Sequence, residues 1–168
     1  MLQDQQKAGG TKGKKRDPRD PDSEYEQAMH KDEDGDYGIP CAAFRSAMID
    51  ACRAAGFQMT KAKMSIVCLA DGIDVDEGTP LVKLQGKPER NESAVRLESG
   101  VASVSIRPMW RKWKATVTLQ WDADQFGMGD VANLLSRAGL QVGIGEGRPF
   151  SKKSHGMGWG TFKLVEQG

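Results

Sequence analysis

Residues 112–121 read Lys-Trp-Lys-Ala-Thr-Val-Thr-Leu-Gln-Trp. Trp113, Ala115, Val117, Leu119 and Trp121 fall on one face, and Lys112, Lys114, Thr116, Thr118 and Gln120 on the other. A two-residue period this regular predicts a strand covered on one side only, as in an antiparallel sheet with one open face. Such a strand needs an apolar cover, and two segments have helical spacing. Phe44, Met48, Ala51, Cys52 and Ala55 make one stripe of a helix expected over 40–55, with Pro40 at its first position and Gly56 past its end. Val131, Leu134, Leu135 and Ala138 make the second stripe, with Asp130 as cap and Gly139 as stop.

The remaining elements are shorter. Ala102, Val104 and Ile106 alternate with Ser103 and Ser105, so 101–107 is expected to form a hairpin with 112–121. In Met64 to Leu69 the second half reads as a buried strand, and a short helix from Thr60 is the alternative for the first. Leu81 to Leu84 reads as a strand, Lys87 to Ser93 as a polar loop, Gln141 as the start of a short strand, and Thr161 to Val165 as a closing strand. The turn holding Asp71, Asp74, Asp76 and Glu77 lacks the spacing of a calcium loop and is read as solvated. The fold class is α+β.

Composition bounds the rest. At 168 residues the chain fits one domain. The net charge of +1 is unevenly spread: residues 1–36 hold seven Lys/Arg against ten Asp/Glu, which leaves about +4 on residues 37–168. The first stretch has few large apolar side chains and is expected to be a flexible charged arm, with 24–30 as a short element if docked. Residues 37–168 are expected to form a single α+β domain. No run approaches the roughly 20 apolar residues that span a bilayer, so no membrane partner is expected. Cys41, Cys52 and Cys68 are odd in number and widely spaced, which points to reduced, buried thiols in a cytoplasmic setting. The N-terminus has no apolar leader segment.

Two clusters carry chemistry. Seven glycines fall between Gly139 and Gly160, interleaved with Arg148, Lys152, Lys153, His155, Phe150 and Trp159. Glycines let a backbone approach phosphates, and cations with aromatics serve phosphate neutralisation and base stacking. The bland alternative is a hairpin loop whose glycines only solve turn geometry. The second cluster, Arg107 to Lys114, packs four cations and two tryptophans into eight residues. It reads either as a stacking platform, with Trp110 as the exposed ring, or as a core tryptophan among solvated edge cations. The candidate nucleic-acid contacts are thus Arg107, Trp110, Arg111, Lys112, Lys114, Gly143, Gly145, Arg148, Lys152, Lys153, His155 and Trp159. His155 is a weak candidate for acid–base work. His30 and His155 lie in no metal-ligand motif, and neither a metal nor a cofactor is expected.

The order of elements resembles a ferredoxin-like domain of the RRM and RAMP type, and the glycine-rich loop before the last strand resembles the Cas7-like backbone subunits of CRISPR complexes. A closer resemblance is to a group of uncharacterised proteins of tailed bacteriophages. It rests on Arg107-Pro108, Trp113, Asp122, Ala138-Gly139, Val142-Gly143-Ile144-Gly145, Arg148-Pro149 and Gly160-Thr161-Phe162, with Tyr25, Glu26, Asp34-Gly35 and Ile39-Pro40 upstream. That family pattern begins with a strand where this chain has only Met1 to Gly13, so the implied sheet lacks its first, central strand. Lys152 to His155 also lengthen the loop beyond the family pattern. The resemblance implies a non-catalytic phage protein in the host cytoplasm that binds RNA or single-stranded DNA through the basic loop and the open sheet face. Homo-oligomers would assemble along the strand. The alternatives are a structural or oligomerisation module of a phage or CRISPR-like assembly, and a sponge for nucleotide-sized ligands.

Overall fold

The computed structural model describes residues 18–96, 99, 100, 102–151 and 156–165. It is a mixed α+β structure whose strands are antiparallel and fall into three small sheets. The scaffold is the helix pair foreseen from the apolar stripes. Helix α2 (Cys41–Ala55) buries Phe44, Met48, Ala51 and Cys52, and ends at Gly56 in the left-handed conformation. Helix α4 (Met128–Arg137) buries Val131 and Leu134 against it. Between them sit Phe126, Ile66 and Val82, all nearly inaccessible. Phe57 meets Phe126 edge-on at 5.4 Å, and Phe44 meets Phe162 at 5.7 Å.

Sheet one joins β1 (Gly38–Pro40), β4 (Pro80–Lys83) and β3 (Gly72–Ile73) in the order β1-β4-β3. Sheet two pairs β2 (Ile66–Leu69) with β7 (Thr118–Trp121), in the register Ile66↔Trp121. A short helix, α3 (Met59–Ser65), precedes β2, so both readings of Met64 to Leu69 hold in part. The strand expected over 112–121 is ladder only at Thr118–Trp121, with an isolated bridge at Lys114, but its predicted faces are observed: Trp113, Ala115, Val117, Leu119 and Trp121 are half-buried, and the residues between them are exposed.

The expected hairpin is corrected. Strand β6 (Ala102–Met109) pairs with β5 (Glu89–Arg96), not with 112–121, and β5 takes up most of the expected polar loop. The reason lies in burial. Strand β5 is largely polar and β6 fully buries only Ile106, so the pair forms a ribbon with little core contact, whereas 112–121 lays its tryptophans on the core. Pro108 is tolerated in β6 because such a ribbon has free edges. The ribbon is held by α1 (Pro21–Gln27): Arg19 donates to both Glu24 carboxylate oxygens at 2.6 and 2.7 Å and to the Val104 carbonyl at 2.6 Å, and Arg90 pairs with Asp22 at 2.7 Å. Within the charged stretch 1–36, the described residues 18–36 hold α1 and bury Met29 and Asp32; the remainder of the expected arm lies outside the described residues.

Three smaller expectations also change. Asp130 is the third residue of α4, not its cap, and its carboxylate accepts from Gly127 N–H at 2.9 Å. Gly139 does not stop the helix. Ala138–Val142 continue it as a π-helical turn, which replaces the strand expected at Gln141. Residues 161–165 join no strand ladder among the described residues. No helix among the described residues is long and apolar enough to cross a membrane.

Candidate nucleic-acid interface

The end of β6 and the glycine-rich loop, far apart in sequence, border one groove of about 940 Å³. Helix α2 borders it through the small residues Ala42, Ala43, Ser46 and Ala47. Arg107, Trp110 and Arg111 border it from the end of β6 and the turn that follows, and Gly143, Gly145, Arg148 and Trp159 from the glycine-rich segment. Lys112 and Lys114 are exposed but do not border the groove, nor does the rest of the open face through Gln120. Lys152, Lys153 and His155 lie outside the described residues.

The rings are more enclosed than expected. Trp110 is half-buried, edge-on to Tyr37 at 5.6 Å, with its indole N–H buried and unpartnered. Trp113 is half-buried too and packs edge-on to Phe162 at 6.1 Å, as the core reading required. Trp159 lies against the backbone of Gly147, where a Cβ would come within 2.8 Å of its ring. The glycine-rich segment is folded back on itself. Ile144 N–H donates to the Gly160 carbonyl at 3.0 Å, Trp159 N–H to that of Gly147 at 3.2 Å, and Phe162 N–H to that of Gly139 at 3.0 Å. Gly160 has φ +74°, and a Cβ there would lie 1.7 Å from the Ile144 oxygen.

The groove's charges are mixed. Arg107, Arg111 and Arg148 oppose Asp50 and Glu146. Arg148 donates to the Gly145 carbonyl at 2.9 Å, and Arg111 pairs with Glu89 at 2.7 Å. Burial pushes the Cys68 thiol up to about 12, and all three cysteines are free and buried.

One pair was missed by the sequence reading. His30 borders the groove, and its Nδ1 lies 2.7 Å from Asp74 Oδ2. The two are 44 residues apart in no recognisable motif, so no local signal marked them. The turn read as solvated is exposed at Asp71, Asp76 and Glu77, and Asp74 corrects that reading at one position. It is buried, and its Oδ1 accepts from the N–H groups of Asp76 at 2.8 Å and Glu77 at 3.0 Å. Burial raises the pKa of Asp74, but its bonds from Glu77, His30 and Asp76 outweigh that and hold it below the usual carboxylate range. A depressed folded-state pKa stabilises above the unfolded value of about 3.9, and the stabilisation is lost as pH falls through the folded value. The urea-midpoint gap between the wild type and Asp74→Asn is therefore expected to shrink between neutral pH and about pH 3. A gap constant across that range contradicts the assignment.

Two groups bring three ligand-type side chains within 4.8 Å: His30 with Asp74 and Glu77, and Asp32 with Asp34 and Asp36. In the second, the Lys83 ammonium already supplies the counter-charge, 3.0 Å from Asp36 and 3.9 Å from Asp32. Comparison with protein-family models, with curated proteins and with solved structures found no match to this chain.

Proposed function

We propose that this groove binds single-stranded nucleic acid, RNA or DNA, as a recognition surface. The observation that carries the reading is the convergence of both basic–aromatic clusters on one cleft. Arginines from two segments bordering one cleft suit a phosphate backbone, and half-buried tryptophans suit stacked bases. The resemblance to tailed-phage proteins supports a phage-encoded role in the host cytoplasm, and the buried free thiols fit a reducing compartment. We read the order α2, β2, β7, α4 as a ferredoxin-like frame whose central strand is not among the described residues. In its support, β7 is laddered on one side only, and 161–165 runs unpaired among the described residues.

Fluorescence anisotropy with a single-stranded oligomer across a salt series tests this. Three groove arginines predict a log–log salt slope of about 2. Absence of affinity at low salt, or a salt-independent constant, overturns the reading. The unpaired edge of β7 and the exposed Leu164 and Val165 favour one alternative, self-assembly by strand addition. Light scattering that finds a stable oligomer indifferent to nucleic acid would select it.

A further inference from the structure

Every cation bordering the groove is a hydrogen-bond donor. Arginines grip phosphates equally well on RNA and on DNA. Discrimination between the two needs a group placed for the ribose 2′-OH, which donates as well as accepts and which DNA lacks. Ser46, Asn91 and Thr161 border the groove with neutral oxygens, and Asp50 and Glu146 with charged ones. His30 is singled out by its bond to a buried carboxylate, which fixes the ring and decides which of its nitrogens accepts.

We infer that the groove selects RNA, and that His30 Nε2, held as an acceptor by Asp74, receives the hydrogen bond of a ribose 2′-OH. This rests on the nucleic-acid reading of the groove. The Asp74 side chain is 2% exposed and the His30 side chain 32% exposed, so the carboxylate is fixed beneath a ring that ligand can reach. Asp74 is ionised and accepts only, so the proton between the two sits on His30 Nδ1. With the proton on Nδ1, Nε2 is the ring's acceptor whenever the imidazole carries a single proton. His30 also borders a smaller pocket with Glu24, Glu77 and Arg107, which places Arg107 beside it for a neighbouring phosphate. Asp74 acts through His30 and is a positioning residue.

The geometry of Asp74 makes the inference testable at one atom. Its Oδ1 already accepts two backbone N–H groups, from Asp76 and Glu77. In Asp74→Asn the amide oxygen must keep that place, which turns the NH₂ toward His30 Nδ1. Nδ1 must then accept, the ring proton moves to Nε2, and the acceptor becomes a donor.

The probes are a uridine oligomer of about ten nucleotides and its deoxyuridine counterpart, which differ only at the 2′ position. The wild type is expected to bind the RNA about tenfold more tightly, the magnitude of one net hydrogen bond. In Asp74→Asn the ratio falls to about one, and the ¹⁵N spectrum of His30 shows the proton moved from Nδ1 to Nε2. His30→Phe keeps a ring without the acceptor and is expected to lose the same preference, so the result does not hang on the tautomer alone. Equal wild-type affinities overturn the inference and leave the groove reading standing. So does an RNA preference that survives in Asp74→Asn with the tautomer switched. Failure of both oligomers to bind removes the groove reading and this inference together.

Discussion

Replacing Gly160 with alanine is expected to cost about 4 kcal/mol of stability. Three effects add. The left-handed backbone at φ +74° costs an L-residue about 1–2 kcal/mol. The new methyl would lie 1.7 Å from the Ile144 oxygen, so one of the two segments must move. That movement breaks the bond from Ile144 N–H to the Gly160 carbonyl, which ties the glycine-rich segment together. For a chain of this size the loss corresponds to a fall of roughly 8–16 °C in Tm. Gly145→Ala is the internal control. Gly145 also has a positive φ, +77°, but nothing lies within 4 Å of its Cβ position, so only about 1 kcal/mol is expected. Urea unfolding of the two variants measures the difference. If they lose the same amount, close approach at Gly160 is not what the glycine serves.

Charge reversal of Arg107 and Arg111 together is expected to weaken nucleic-acid binding about 100-fold at low salt, and to lower the salt slope by about 1.4. The fold should tolerate the change. Both side chains are exposed, and the internal bonds they make are Arg107 to the Ile106 carbonyl and a surface pair between Arg111 and Glu89. Surface pairs of this kind contribute about 0–1 kcal/mol. A loss of affinity with an unchanged urea midpoint therefore reports on the groove and not on stability. Arg148 is a poorer choice for this experiment, because its guanidinium also braces the Gly145 carbonyl. Unchanged affinity in the double variant would remove this segment from the interface.

The two helices were legible because an apolar stripe is a local property. Residues three and four apart share a helix face whatever the rest of the chain does, and the extents of α2 and α4 follow the stripes within a few residues. The two faces of 112–121 were legible for the same reason. Its partner was not. Alternation states which side chains face the core but not which strand lies alongside; nearness in sequence favoured 101–107, and the ladder formed with β2 instead. Strand β5 was hidden because a ribbon with little core contact has little alternation to reveal it. The helix stop assigned to Gly139 failed because packing against Phe162 holds that glycine inside a π turn, where a Cβ would lie 2.1 Å from the Phe162 oxygen.

For the candidate site the division is similar. Each basic–aromatic cluster could be picked out from composition in a short window. That they border one groove with α2, and that His30 rests on a buried Asp74, required the folded chain. The sequence by itself determined the two longer helices, the inward and outward faces of 112–121, and the two basic–aromatic clusters, because side-chain direction follows from backbone geometry over a few residues. Strand partners, the shared groove and the pairing of His30 with Asp74 were decided only by the tertiary structure. They depend on contacts between segments tens of residues apart, selected by which arrangement buries the tryptophans and satisfies Asp74 at once.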